Sequence, residues 1–324
     1  MKDDKIDELK KVFDLEEIPS KLKASNKAQQ KKAHQLSKRK MKEVIENQAG
    51  RLDEVLATFI DNKSPTEFDI PTGFPDLDKL MGGLRLGELV VVGARPSLGK
   101  TSFLLSLARN ISFRQKSSAV LYINLESTLR QTAERLAFML KEKDKPKEAP
   151  FYISAPENCI EAILDEINTY IKDKGVKVVF IDYIQMLQIP DDNQRNRSLT
   201  TAISALKRLS REKQVSVVLS SQLNRSIELR SGYSKRPFLS DLRDSGSLEQ
   251  EADKVIFLNR LEYFGITEDE NGDSTKGVVE ILLAKNRTGF SGEVSLKFVQ
   301  ETVSFESWPT SENNWGELNT DLVF

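Results

Sequence analysis

The sequence predicts an α/β fold, with a mainly parallel central sheet covered by helices on both faces. Three observations lead there. From Asp76 onward, short apolar runs alternate with segments of helical periodicity, the pattern of strand–helix–strand units. The runs Ala119–Asn124 (AVLYIN), Val176–Asp182 (VKVVFID) and Val215–Ser220 (VSVVLS) are almost continuously apolar and β-branched, as strands covered on both sides must be. The run Leu89–Val92 ends in a turn of Gly, Pro and Ser, and a helix then opens with Gly99-Lys100-Thr101. Strand, tight loop and helix in that order form a phosphate-binding loop.

Taken in order, residues 1–17 place Ile6, Leu9, Val12 and Phe13 at three- and four-residue spacing, which predicts a short amphipathic helix. Ser20–Lys42 is rich in Lys and Arg and holds no Asp or Glu. Such a run is a solvated arm by default, or a salt-dependent contact for nucleic-acid phosphates. Glu43–Ile60 is amphipathic again. Pro65, Pro71, Gly73 and Pro75 then mark a loop. These shifts divide the chain into a helical and basic extension with linker (1–63), an α/β domain with a C-terminal hairpin (64–305) and a polar tail (306–324).

Within the domain, Leu77, Leu80, Met81 and Leu84 belong to a short helix stopped by Gly82 and Gly83. Phe103, Leu104, Leu107 and Ala108 give Thr101–Arg109 helical spacing. A helix is expected at Leu129–Lys141, a short strand at Phe151–Ser154 and a helix at Ile160–Lys174. Asp191–Arg197 reads as a polar loop, Leu199–Lys213 as a helix and Ser221–Ser240 as a long polar loop. Lys254–Asn259 is a further strand. Gly277–Lys285 and Gly292–Val299 flank Arg287-Thr288-Gly289-Phe290-Ser291, a hairpin signature.

Composition excludes several chemistries. Net charge is −1, so any nucleic-acid contact needs a local basic surface. There is one cysteine, Cys159, and one histidine, His34. That rules out a disulfide framework and a cysteine zinc site, and argues against histidine base chemistry. No apolar run reaches the length of a membrane span and no signal peptide is visible, so the chain reads as cytoplasmic.

The candidate chemistry gathers at strand ends. Lys100 would reach the outer phosphates of a nucleotide and Thr101 would hold magnesium. Asp182 closes an apolar strand, where a carboxylate lies beside the loop and can hold the metal through water. Glu126 follows another strand and is the natural base for activating water. Gln222 follows VVLSS, placed to sense a γ-phosphate or to orient water. Lys285 and Arg287 share one side of the hairpin, either solvated or supplied to a nucleotide as an arginine finger. In Ser240–Asp253, Ser247 and Gln250 fit a capping box, and Arg243 with the N–H groups near Gly246 could hold a strand phosphate.

Six stretches, IPTGFPDLDKLMGGL, GARPSLGKTSF, VVFIDYIQML, SSQLNRS, RPFLSDLRDSGSLEQEAD and KNRTGFSGEVSLKF, occur in this order between Ile70 and about Val299. Together they resemble replicative DNA helicases of the DnaB family. Ala94 stands where the general phosphate-loop pattern has glycine, and the family shares that alanine. The resemblance implies a RecA-like P-loop ATPase core in a ring of six that translocates on single-stranded DNA, in the 5′–3′ sense. ATP and Mg2+ would sit between neighbours. The nucleotide loop would be Ala94, Arg95, Pro96, Ser97, Leu98, Gly99, Lys100, Thr101 and Ser102, with Thr101 and Asp182 on the metal. Glu126 would be the base and Gln222 the γ-phosphate sensor, with Lys285 and Arg287 acting in trans. Arg243, Asp244 and Gly246 match the loop that grips DNA, although the family usually has Glu at position 244.

Residues 1–60 do not match the larger helical N-terminal domain that the family associates with primase. The resemblance therefore does not carry primase binding to this chain; a helicase loader and a specialised, phage or plasmid role stay open. Rival readings are a RadA-like repair ATPase, which usually adds a zinc finger and a protease-like domain, a single-stranded-DNA-binding ring or loading factor with weak ATPase, and a small-molecule kinase.

Overall fold

The computed structural model describes residues 70–308, apart from 115–117, 141–143, 145–148, 189–194 and 243–245. The expected N-terminal helices and basic arm, Arg243, Asp244 and the tail beyond Trp308 lie outside the described residues. The strands are β1 (Leu89–Ala94), β2 (Ala119–Asn124), β3 (Phe151–Ser154), β4 (Val176–Asp182), β5 (Ser216–Gln222), β6 (Lys254–Asn259), β7 (Val278–Asn286), β8 (Gly292–Val299) and β9 (Ser304–Ser307). Among the described residues they form one sheet in the order β3-β2-β4-β5-β1-β6-β7-β8-β9. Strands β1 to β6 pair in parallel, and β7 to β9 continue the sheet antiparallel.

The helices are α1 (Pro75–Met81), α2 (Lys100–Arg109), α3 (Leu129–Met139), α4 (Ile160–Lys174), α5 (Arg195–Lys213) and α6 (Gly246–Glu251). Side chains alternate across each strand, so the sheet separates two cores. On one face Val90, Val92, Val120, Tyr122, Val178, Phe180 and Val218 pack with Leu77 of α1 and Phe103, Leu104 and Leu107 of α2. On the other face Leu89, Val91, Leu121, Ile123, Val179, Ile181 and Leu219 pack with Ile163 and Ile167 of α4 and Ile203 and Leu206 of α5. Each such side chain contributes about 1.5–3 kcal/mol on burial. The near-continuous apolarity of the central strands is the sequence trace of this double cover.

Local chemistry sets the ends. Pro75 opens α1 and Gly82 closes it at φ 75°. Thr128 and Gln131 form a reciprocal capping box at the start of α3. Gly175 ends α4 at φ 65°.

Several expectations need correction. Helix α5 starts at Arg195, inside the stretch read as a polar loop. The segment after β5 is not plain loop but three short 3₁₀ turns, Arg225–Leu229, Gly232–Lys235 and Leu239–Asp241. The polar-looking end of the domain adds β9, whose Phe305 is buried against Phe103 and Phe298. The capping box at Ser247 does not form, because α6 already begins at Gly246 and places Ser247 inside the helix.

Candidate functional site

The carboxyl ends of β2, β4, β5 and β1 lie side by side, with Asn124 paired to Asp182 and Ala94 paired to Gln222. Ligands collect at this rim of a parallel sheet. By alternation, Tyr122, Asn124, Phe180, Asp182, Ser220 and Gln222 share the face on which α2 packs. The rim therefore opens toward the start of α2, where the phosphate loop ends.

The loop after β1 is held from within. Ser97 and Gly99 both take positive φ, 66° and 96°, and Gly99 is the residue before α2, where no side chain caps the helix. Its first-turn N–H groups are left to an external anion, which the helix dipole favours. A Cβ on Gly99 would lie 3.1 Å from the Phe305 ring, so both conformation and space select glycine. Pro96 and Ser97 are exposed, while Leu98 and Ser102 are buried. Arg95 is only 5% exposed and turns away from the loop mouth. Its guanidinium donates to Glu228 at 2.6 and 2.8 Å and to the Leu223 carbonyl at 2.7 Å. Among the loop residues, Arg95 thus ties the loop to the segment after β5.

Lys100 is largely desolvated, and this holds its pKa below the ordinary lysine value, against the pull of Asp182 and Glu126. Its ammonium lies 4.6 Å from the centre of the Tyr183 ring, a cation–π contact. Thr101 Oγ1 donates to Asp182 Oδ2 at 2.6 Å. A hydroxyl and a carboxylate in contact beside an uncapped helix start are hard oxygen ligands of the kind Mg2+ takes together with nucleotide phosphates. The residues present therefore fit a magnesium–nucleotide.

Glu126 is exposed on the turn after β2. Asn124 shapes that turn: its Oδ1 accepts from the Glu126 and Ser127 N–H groups at 2.9 and 2.7 Å, and its amide donates to Thr132. Gln222 is the last residue of β5, with its N–H on Gln185 Oε1. Glu126 and Gln222 thus join Lys100, Thr101 and Asp182 at one rim.

Lys285 and Arg287 do not. Val255 on β6 pairs with Lys285, and Val90 at the start of β1 pairs with Lys254. Val255 in turn pairs with Val91, so Lys285 lies three residues, or about 10 Å, short of Ala94 along the strand, and Arg287 lies further toward the amino end of β1. There they bind the C-terminal carbonyls of α6: Lys285 reaches Glu249 and Gln250, and Arg287 reaches Gln250. Gly246 is the exposed first residue of α6.

The sequence reading missed Tyr122, Tyr183, Ser220 and Glu228. Tyr122 and Ser220 both donate to Asp182. A signal existed for Tyr122, since a tyrosine in a doubly covered strand needs a partner for its hydroxyl. None existed for Glu228, which is 133 residues from Arg95.

The model of the DnaB-like helicase C-terminal domain matches residues 69–145 and 138–307. The chain belongs to this family. It is 34% identical over 262 residues to the replicative DNA helicase DnaB of Geobacillus stearothermophilus, covering 73% of this chain and 56% of that protein. It is 35% identical over 261 residues to the replicative DNA helicase DnaC of Bacillus subtilis, with the same coverage. The chain thus spans a little over half the length of these relatives. Among solved structures, a DnaB-like replicative helicase studied with primase aligns with a TM-score of 0.67 at 30% identity, over 80% of this chain and 67% of that one. A separately solved ATPase domain aligns with a TM-score of 0.68, also at 30% identity, covering 80% of this chain and 99% of that one. The expected RecA-like α/β core is thereby borne out. No described helix is long and apolar enough to cross a membrane.

Proposed function

We propose that this chain is the motor of an ATP-dependent DNA helicase, which assembles into a ring, with six subunits expected, and moves on single-stranded DNA during replication. The observation that carries this reading is the separation of the rim from Lys285 and Arg287. One copy holds a phosphate loop, a metal pair, a carboxylate and a glutamine at one end of its strands, and two cations at the other. Two copies set head to tail bring the cations of one to the nucleotide of the next, and head-to-tail contacts close into rings.

In each site Lys100 and the α2 N–H groups bind the phosphates, and Thr101 and Asp182 hold Mg2+, which neutralises phosphate charge. Glu126 takes the proton of the attacking water, Gln222 senses the γ-phosphate, and Arg287 with Lys285 stabilises the charge of the transferring phosphoryl group. Arg243, Asp244 and Gly246 precede or open α6, whose far end Lys285 and Arg287 touch. A change at the neighbour's nucleotide thereby reaches the DNA loop through one short helix. Loader and primase contacts are not assigned to residues 70–308.

Strand displacement with ATP and Mg2+ on forked duplexes of both polarities tests this. Displacement on the fork whose loading arm is the 5′ tail is the expected result. ATP turnover with no displacement on either fork would favour a single-stranded-DNA-binding ring or loading factor instead.

A further inference from the structure

Asp182 is 1% exposed, and hydroxyls occupy both of its oxygens. Oδ2 accepts from Thr101 at 2.6 Å and from Tyr122 at 3.0 Å, while Oδ1 accepts from Ser220. Tyr122 and Ser220 come from β2 and β5, the two strands that flank β4. Tyr122 is fully buried, and its ring stacks on Phe180 with centroids 6.1 Å apart. Ring packing therefore aims the hydroxyl, and it reaches the rim carboxylate and not a main-chain carbonyl. A phenol O–H facing a carboxylate can only be the donor, so the group holds Asp182 through its proton.

A carboxylate has two soft torsions. One donor on each oxygen, from opposite sides, fixes the carboxylate plane and leaves the edge near Thr101 facing the phosphate loop. Partners of this kind are known to tune metal affinity without touching the metal. We propose that Tyr122 and Ser220 are positioning residues for magnesium, holding the Asp182 carboxylate in the orientation that a magnesium–nucleotide requires. The role rests on the nucleotide site assigned above.

Tyr122→Phe removes the hydroxyl and keeps the stacked ring. Binding of a fluorescent ADP is measured as Mg2+ is titrated in, and again in excess EDTA. The Mg2+ concentration at half-saturation should rise on the order of tenfold, with nucleotide affinity in EDTA unchanged. Ser220→Ala should shift the Mg2+ curve in the same direction. A packing role alone would lower the thermal midpoint and leave the Mg2+ curve in place.

Mg2+ curves that superimpose on the wild type would overturn the proposal while leaving the nucleotide site standing. A wild-type chain that binds no nucleotide would overturn both. If Tyr122→Phe does not fold, Ser220→Ala decides by the same measurement.

Discussion

At the carboxyl ends of β2, β4, β5 and β1, polar side chains satisfy one another across strands. At the amino ends of β1 and β6, Lys285 and Arg287 lean on main-chain oxygens of α6 instead. The rim carboxylate, Asp182, has three hydroxyl donors and is almost completely buried. At the far edge, Arg287 is half exposed and shares the C-terminal carbonyls of α6 with Lys285, and its nearest carboxylate oxygen, on Asp253, is 3.6 Å away. That carboxylate is already engaged by Lys207 and by the Leu89 N–H.

The magnitudes differ accordingly. A cation at an exposed helix C-terminus gains about 0.3–1 kcal/mol, whereas a buried hydrogen bond to a charged group is worth roughly 1.5–3 kcal/mol. The rim is built to stay as it is, and the far edge is built to be exchanged. If Arg287 acts in trans as proposed, a triphosphate brought by a second copy would attract it more strongly than helix carbonyls do, and the exchange would release the end of α6.

The largest effect expected from this contrast is at Arg287. Arg287→Ala should lower ATP hydrolysis by about 10³–10⁵. Stability should change by less than about 1 kcal/mol, since the side chain is exposed and its ion pair weak. Mixing this variant with Lys100→Ala protein should restore part of the turnover, because one mixed interface then holds an intact loop and an intact arginine. Steady-state hydrolysis across a series of mixing ratios checks it, and no recovery at any ratio would return Arg287 to a merely solvated role.

Glu126→Gln comes next. It should cost about 10²–10⁴ in turnover and leave nucleotide binding and assembly intact. The turn is held by Asn124 through main-chain N–H groups that the substitution does not touch. Near-normal hydrolysis would place the base elsewhere.

Much of this contrast is legible in the sequence, and the reasons are specific. Val176–Asp182 and Ala119–Asn124 are strands because their β-branched and aromatic residues fit a sheet covered on both faces. Gly99-Lys100-Thr101 marks the loop because glycine suits a φ of 96° and the tight space beside Phe305. The loop and the strand end together predict that Thr101 and Asp182 meet, and they are in contact.

What is not legible depends on distance in the chain. β9 looks like a polar tail, because its one large apolar residue, Phe305, has partners at Phe103 and Phe298. The first turn of α5 lacks apolar periodicity. Arg95 sits in the nucleotide loop by sequence, yet its side chain serves Glu228 and Leu223. The role of Lys285 and Arg287 can be named from resemblance, but their place at the far edge follows from strand register, which no local pattern reveals.

A smaller effect sharpens the packing beneath the rim. Gly93 precedes the position where the general pattern has glycine. A Cβ there would lie 2.7 Å from Phe257 and 2.9 Å from Leu223. Overpacking of this kind costs about 1–3 kcal/mol. Gly93→Ala should lower stability by that amount in urea unfolding. Because Leu223 also receives Arg95, a shift there should weaken nucleotide binding severalfold. An unchanged unfolding midpoint would mean that Phe257 and Leu223 can move aside.

The smallest effect belongs to α6, the helix whose carbonyl end Lys285 and Arg287 hold. Ser247 is buried, and its hydroxyl has no hydrogen-bond partner among the described residues. A buried hydroxyl without a partner carries a desolvation cost, and alanine is the better helix former. Ser247→Ala should therefore be neutral or stabilising by up to about 1 kcal/mol. The contacts of Lys285 and Arg287 with the end of the helix run through main-chain oxygens and survive the change. Thermal unfolding and ATP turnover, measured together, check it. A clear loss of stability would show that the hydroxyl is engaged after all. A loss of DNA-stimulated turnover at unchanged stability would show that α6 transmits through this side chain and not through its carbonyl end.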